Sequence, residues 1–291
     1  MSGVEVSAYA KLNLCLDVVG SLPDGYHAMK MVMQTVSLCD TVRLELNDSG
    51  RVSSTANFGF LPRDERNLAV RAAKAFLAAA GLPASRGVAV TLRKRIPVGA
   101  GMGGGSADAA AVLRGLNAMT GAGLSDPVLA ELGAGLGSDV PFCLRGGTSL
   151  ATGRGERLAP LPPLPDCGVV ICKPRFSIRT PELFARIDGR RSRIHPDTDG
   201  LIAALEAGDL EGVARRMYNV FEDVLPRSFA GEVTNIKNAL LDAGALGAVM
   251  TGTGSAVFGI FADAPAAERT AAALKQCWRE CYSAVPISAE E

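Results

Sequence analysis

The chain has 291 residues, of which 48% are hydrophobic, so it is long enough for one large or two ordinary domains with an ample core. Its 30 basic residues balance 30 acidic ones without a long run of either sign, which argues against a nucleic-acid or membrane partner. The 7 cysteines include no C-x-x-C pair, no secretory leader is recognisable, and no apolar stretch reaches the roughly 18 residues of a membrane span. We therefore expect a cytoplasmic protein without disulfides or structural zinc.

Two apolar strands are predicted at the start of the chain, over residues 4–9 and 12–19. The polar residues Lys11 and Asn13 interrupt this run of mostly apolar residues. A lysine at such a position is most often a surface residue, so the pattern by itself does not assign Lys11 a function.

The turn that follows ends in an aromatic and an imidazole side chain, Tyr26 and His27. A plain turn with a half-buried tyrosine fits this pattern, in which the two side chains present an aromatic face and a hydrogen-bonding edge. Residues 31–38 and 41–46 are predicted to form a pair of strands around Cys39 and Asp40.

Apolar residues at helical spacing predict a helix over residues 67–81, which Asn67 can cap. A strand is predicted over residues 87–92. Lys94 and Arg95 follow it, and they could face either a nucleotide or solvent.

A glycine-rich loop then runs into an alanine-rich helix, and glycines let its backbone amides turn toward a ligand. Together with the positive end of a helix dipole, such a loop forms an anion cradle suited to a phosphate chain. The loop is neither a Walker motif nor a protein-kinase loop, because the residues that accompany those motifs are absent, whereas G-x-G-x-x-G of a dinucleotide site is satisfied. The loop residues are Pro97, Val98, Gly99, Ala100, Gly101, Met102, Gly103, Gly104, Gly105, Ser106 and Ala107.

The helix behind the loop is predicted over residues 106–119, with Ser106 as its N-cap or as a phosphate and metal ligand. Another helix is predicted over residues 126–136. Asp139 then lies between a glycine turn and an apolar run that is predicted as a strand. An aspartate there is commonly a cap or turn residue.

A proline-rich stretch at residues 160–165 predicts a stiff connector. We place the boundary beside it, which gives domains over residues 1–158 and 159–291. Helices are predicted further on, one over residues 181–187 with Thr180 as its cap and one over residues 210–225.

A second glycine turn lies between apolar strands predicted at residues 247–250 and 257–261. It contains Gly252, Thr253 and Gly254. A hairpin turn is the plain alternative, although hydroxyls interleaved with glycines are unusual for one.

Three ordered stretches resemble the motifs of the small-molecule kinases that include galactokinase, homoserine kinase and mevalonate kinase, the GHMP kinases: residues 10–14, 97–107 and 251–255. Within this family, residues 25–27, 137–142 and 177–181 are similar to the branch that phosphorylates the 2-hydroxyl of 4-diphosphocytidyl-2-C-methyl-D-erythritol in non-mevalonate isoprenoid precursor biosynthesis. The resemblance implies an α+β fold of two domains. The N-terminal domain would be a ribosomal-protein-like ATP-binding domain, and the C-terminal domain would bind substrate with an antiparallel sheet and helices.

The resemblance also implies ATP and Mg²⁺ as cofactors, with Asp139 as the base and Lys11 beside it as catalytic residues. Asn67 and Lys94 join the loop residues as nucleotide contacts, and Ser106 is the candidate metal ligand. The implied substrate contacts are Asn13, Tyr26, His27, Asp139, Thr180, Phe184, Gly252, Thr253 and Gly254. We expect a small-molecule substrate as the partner and a monomer or homodimer.

Three alternatives compete with this interpretation. Another kinase of the same family could act on homoserine, mevalonate or a sugar. A dinucleotide-dependent oxidoreductase could use G-x-G-x-x-G. A non-catalytic nucleotide sensor could have kept the loop, although the presence of both Lys11 and Asp139 argues against it.

Overall fold

The computed structural model describes residues 3–23, 25–189 and 194–289. These residues fold into two compact units, each built from segments that alternate along the chain. The first unit contains Met1–Ala10, Cys39–Ile96 and Gly103–Arg145, and the second contains Lys11–Leu38, Pro97–Met102 and Gly146–Glu291. The division into domains at residues 158 and 159 stays a prediction.

The elements that supply the first unit are β1 (Gly3–Ser21) up to Ala10, β2 (His27–Asn47) from Cys39, β3 (Val52–Ala56), α1 (Leu68–Ala79), β4 (Gly87–Arg93), α2 (Gly104–Thr120), α3 (Asp126–Leu136) and α4 (Val140–Arg145). Strand β4 pairs in parallel with β3 and antiparallel with the last part of β2. A Cβ on Gly115 would lie 2.6 Å from Leu44 of β2 and 2.9 Å from Val6 of β1. Glycine at this position therefore lets α2 pack directly on β1 and β2.

The second unit contains the rest of β1 and β2, followed by β5 (Thr148–Gly153), β6 (Arg157–Pro160), β7 (Gly168–Lys173), α5 (Thr180–Asp188), α6 (Thr198–Glu206), α7 (Leu210–Arg216), β8 (Tyr218–Asn219), α8 (Arg227–Asp242), β9 (Gly247–Met250), β10 (Val257–Phe261), α9 (Ala264–Leu274) and β11 (Glu280–Ala284). One antiparallel sheet has the order β11-β7-β10-β9, and its strands β7 and β10 are buried along their whole length. The early part of β2 pairs with β5, and β1 pairs in parallel with β8.

Several predicted elements are confirmed, since α1, α3, β4, β9 and β10 have the predicted type and nearly the predicted bounds. The strand pair around Asp40 is wrong, because β2 runs through this residue without a turn. The carboxylate of Asp40 is buried and paired with Lys94, so an aspartate that favours a turn by composition is held inside a strand.

Three further predictions are wrong. The strands predicted over residues 4–9 and 12–19 form one continuous strand, β1, in which Lys11 and Asn13 are buried and hydrogen-bonded to each other. The helix predicted over residues 210–225 ends at Arg216, because Tyr218 and Asn219 form β8 beside β1. The strand predicted after Asp139 is helix α4. Among the described residues, no helix is both long and apolar enough to cross a membrane.

Candidate active site

The glycine-rich loop has the backbone geometry of an anion cradle. Gly99, Gly101 and Gly103 have φ values of +67°, +77° and +68°, a region that favours glycine over residues with a Cβ. Helix α2 begins at Gly104, and no side chain in the described structure caps it. The first amides of α2 and the positive end of its dipole are therefore available to an anion.

The prediction that Ser106 caps this helix is wrong. Gly103 is the N-cap, and Ser106 is the third residue of the helix. Its half-buried hydroxyl therefore has no capping role and is a candidate ligand for a phosphate or a metal.

The two glycine turns touch within the second unit. A Cβ on Gly101 would lie 2.2 Å from the carbonyl oxygen of Thr251, and a Cβ on Gly252 would lie 2.6 Å from the carbonyl oxygen of Gly101. The Ala256 amide also donates to the Ala100 carbonyl at 3.1 Å. The structure thus brings the predicted loop and the predicted second turn together, with an approach that only glycines allow.

Lys11 and Asn13 meet the same two turns. The Lys11 ammonium donates to Asn13 Oδ1 at 2.7 Å, and the same oxygen accepts from the Gly252 amide at 3.0 Å. The Lys11 amide donates to the Met102 carbonyl at 3.1 Å. Lys11 is 4% exposed, so the alternative of a surface lysine is wrong.

Asn219 and Glu222 hold the second glycine turn from its other side, and sequence reasoning assigned them no role. The Asn219 amide group donates to the carbonyls of Met250 and Gly252 at 2.7 and 2.8 Å. Glu222 accepts from the Met250 amide at 2.7 Å and from the Lys237 ammonium at 2.5 Å. The only signal in the sequence is the Asn-x-x-Glu spacing, which does not show what the side chains hold.

His27 and Phe184, which the resemblance implies as substrate contacts, also meet in the second unit. His27 stacks on Phe184 with ring centroids 4.4 Å apart, and Phe184 contacts Phe221 edge-on at 5.0 Å. His27 Nε2 lies 2.8 Å from Asp188 Oδ1. Sequence reasoning missed Asp188, because an aspartate at a helix end is common and its partner is 161 residues away.

Tyr26 and Thr180 each contact another residue of the second unit. Tyr26 is 56% exposed, and the Arg154 guanidinium lies 4.0 Å from the centre of its ring. The hydroxyls of Thr180 and Thr253 are 2.8 Å apart. Thr180 is the first residue of α5 and not its cap, since Arg179 occupies the cap position.

Three predicted residues outside the glycine-rich loop belong to the first unit. Asn67 caps α1 by accepting from the Ala69 amide at 3.0 Å, as its ordinary role predicts. Lys94 is buried between Asp40 and Asp108, so the alternative that it faces solvent is wrong. Asp139 is half-buried directly before α4. The nucleotide contacts of Asn67 and Lys94 and the pairing of Asp139 with Lys11 stay predictions.

The described residues contain no group of three or more His, Cys, Asp or Glu side chains that could hold a metal ion. The carboxylate closest to Ser106 in sequence, Asp108, is already paired with Lys94. A Mg²⁺ ion that takes one hydroxyl from Ser106 and its other oxygens from phosphates and water fits this set, because Mg²⁺ often has few protein ligands.

The comparisons with known proteins agree with the geometry. The family model of the GHMP kinases N terminal domain matches residues 67–147, and that of the GHMP kinases C terminal matches residues 201–280. A 4-diphosphocytidyl-2-C-methyl-D-erythritol kinase of Clostridium perfringens is 40% identical over 285 residues, which cover 98% of this chain and 97% of the relative. A protein of the same name from Pelotomaculum thermopropionicum is 44% identical over 269 residues, 92% of this chain and 93% of the relative.

Solved structures give the same result. A crystal structure of 4-(cytidine 5'-diphospho)-2C-methyl-D-erythritol kinase matches with a TM-score of 0.82 and 35% identity, covering 97% of this chain and 99% of the other. A homoserine kinase from Cytophaga hutchinsonii matches with a TM-score of 0.75 at 23% identity, covering 99% and 95%, which shows a common fold alone. The predicted α+β kinase fold is confirmed.

Proposed function

Because this chain belongs to the GHMP kinase family, we propose that it transfers the γ-phosphoryl group of ATP to the 2-hydroxyl of 4-diphosphocytidyl-2-C-methyl-D-erythritol. The products are the 2-phosphate of this substrate and ADP. The observation that carries the proposal is the near-complete coverage of relatives with that name at 40–44% identity. The reaction belongs to the non-mevalonate route to isoprenoid precursors.

The glycine loop supports the donor half of the reaction. The positive φ values at Gly99, Gly101 and Gly103 and the uncapped start of α2 suit a chain of phosphates. The loop amides hold the β- and γ-phosphates, and a bound Mg²⁺ ion would be held by the Ser106 hydroxyl and would neutralise phosphate charge.

Asp139 and Lys11 carry the chemistry in this proposal. The Asp139 carboxylate takes the proton of the acceptor hydroxyl, whose oxygen attacks the γ-phosphorus while the bond to the ADP oxygen breaks. Lys11 stabilises the negative charge on the transferring group, and Asn13 Oδ1 orients its ammonium. Positioning supplies most of the rate, because phosphoryl transfer needs little covalent chemistry from the protein.

His27 and Phe184 support the cytidine half of the substrate. Their rings form a stacked pair, and a flat base binds well to such aromatic surfaces. The Asp188 carboxylate orients the imidazole, so one edge of His27 is available for a polar contact with the base. Tyr26, Thr180, Asn13 and the second glycine turn complete the proposed substrate contacts.

A coupled assay of ADP formation tests the proposal. We expect turnover with 4-diphosphocytidyl-2-C-methyl-D-erythritol and little or none with homoserine, mevalonate or galactose. Turnover with one of the latter at a higher kcat/KM would assign the chain to another branch of the family. ATP binding without turnover of any acceptor would favour a non-catalytic nucleotide sensor.

A further inference from the structure

Three ionisable side chains of the first unit, Asp40, Lys94 and Asp108, form a buried cluster at the two ends of the glycine loop. They are 0%, 6% and 3% exposed. Lys94 Nζ contacts Asp40 Oδ2 and lies 2.5 Å from Asp108 Oδ2. We refer to these residues as the loop-anchor cluster.

The cluster holds the segment that enters the loop. Asp40 Oδ1 accepts from the Arg95 amide at 2.5 Å and from the Ile96 amide at 2.8 Å. These are the last two amides before Pro97. Both Asp40 oxygens therefore act as acceptors, one for this backbone and one for Lys94.

The cluster also holds the segment that leaves the loop. Lys94 Nζ lies 3.3 Å from the Gly104 carbonyl at the first residue of α2, and Asp108 lies one turn further along the same helix. The Lys94 ammonium thus connects the two ends of the loop. It contacts Asp40, which holds the backbone before the loop, and it lies beside the Gly104 carbonyl after the loop.

The three buried groups stabilise one another electrostatically. Burying a charge is costly unless it is paired and hydrogen-bonded, so the three groups depend on one another. Burial raises the pKa of Asp108 from its ordinary 3.8 to about 7, with Lys94 opposing the rise and the nearby Asp40 carboxylate adding to it. Burial alone would lower the pKa of Lys94, but the two carboxylates outweigh burial and raise it.

We propose that Asp40, Lys94 and Asp108 are positioning residues that fix the separation between the two ends of the glycine loop and so preset its amides for the nucleotide phosphates. This inference rests on the proposed function. It gives Lys94 an action through the loop backbone, in place of the direct nucleotide contact predicted from the sequence. Asp40, which the sequence pattern placed between two predicted strands, belongs to the same loop-anchor cluster.

The experiment compares Asp40→Asn and Lys94→Met with the wild type and with Lys74→Met, a matched lysine on α1 that is exposed and paired with Glu65. Amide hydrogen exchange of residues 97–105 is measured without nucleotide, and the Kd for a non-hydrolysable ATP analogue is measured on the same samples. Asn at position 40 has one acceptor oxygen for two partners, so it turns an N–H group toward Lys94 or loses the backbone bonds.

We expect loop amides to exchange about tenfold faster in both variants and the analogue to bind roughly 10- to 100-fold more weakly, because small displacements of positioning groups have effects of this size. The KM for the acceptor should stay unchanged, and Lys74→Met should match the wild type. The Asp40→Asn/Lys94→Met double variant should lose no more affinity than the worse single variant, since both changes break one unit.

Unchanged loop exchange in both single variants would overturn the inference. So would weaker nucleotide binding in Lys94→Met alone, because Lys94 would then be a direct ligand. If a single variant does not fold, the Asp40→Asn/Lys94→Met/Asp108→Asn triple variant replaces it, since removing all three ionisable groups leaves no buried charge unpaired. A wild type that fails to bind the analogue would contradict the proposed function, whereas loop exchange would still test the cluster.

Discussion

At the scale of single residues, the buried Lys11 shows how a polar group can be fixed inside a strand. Its ammonium donates to Asn13 Oδ1, and that oxygen also accepts from the Gly252 amide. The side chain that orients the lysine therefore also holds a glycine turn. A change at Asn13 should affect both the lysine and the turn.

Asp139→Asn should lower kcat by roughly 10²–10⁴-fold, because an amide cannot take the proton of the acceptor hydroxyl. The measurement is steady-state ADP release with saturating substrates. Asp126→Asn, which changes an exposed aspartate of the same unit, is the matched control and should keep normal turnover. Near-normal kcat in Asp139→Asn would make Asp139 a structural residue.

Lys11→Ala should lower kcat more than it raises the KM for ATP, because the charge that Lys11 stabilises grows in the transition state. A loss of roughly 10²–10³-fold in kcat is the expected size for one such group. Steady-state kinetics with ATP varied separates the two effects. An effect confined to KM would make Lys11 a binding residue.

The raised pKa of Asp108 predicts a pH-dependent stability. The folded protein keeps a proton on Asp108 up to about pH 7, whereas the unfolded chain loses it near pH 4, so this group makes the free energy of unfolding fall as pH rises between these values. The amide of Asp108→Asn has no such dependence. The stability of the variant relative to wild type should therefore rise between pH 5 and pH 7, by at most about 1.4 kcal/mol per pH unit.

Urea unfolding at pH 5, 6, 7 and 8 measures this difference. A difference between variant and wild type that is the same at every pH would show that Asp108 is ionised throughout. Lys94 and Asp40 are the charged groups that act on Asp108, so neither is altered in this comparison.

At the scale of elements, the two glycine turns of the second unit depend on each other. Gly101 and Gly252 approach so closely that a Cβ on either would overlap the backbone of the other turn. Asn13 and Asn219 then hold the second turn by its amide and carbonyl groups. The position of the turns is set by buried hydrogen bonds as well as by glycine.

Gly101→Ala should destabilise the protein by more than Gly121→Ala does. Both glycines have positive φ, +77° and +64°, so both substitutions cost about 1–2 kcal/mol of backbone strain. Only the Cβ at position 101 meets backbone atoms, whereas nothing lies within 4 Å of one at position 121. The extra cost at Gly101 should be about 1–3 kcal/mol.

Free energies of unfolding from urea titrations give both values, and the Kd for an ATP analogue should rise in Gly101→Ala alone. Equal destabilisation by the two substitutions would show that strain dominates and that the turns can separate without cost.

At the scale of the whole molecule, the sequence determined the features that depend on local chemistry. Short stretches encode the glycines that need positive φ, the Asn67 cap, the partly buried strand β9, the buried strand β10 and the order of the family motifs. These stretches identify a kinase of this family before any coordinate is known. A glycine or a capping side chain acts within a few residues of its own position.

Only the tertiary structure decided how distant polar groups pair. Asp40 and Lys94 are 54 residues apart, and Asn219 reaches carbonyls 31 and 33 residues away. A buried charge is stable only with its partner, and periodicity gives no information about partners on other elements. For this reason β2 runs through Asp40, where the sequence pattern predicted a break between two strands.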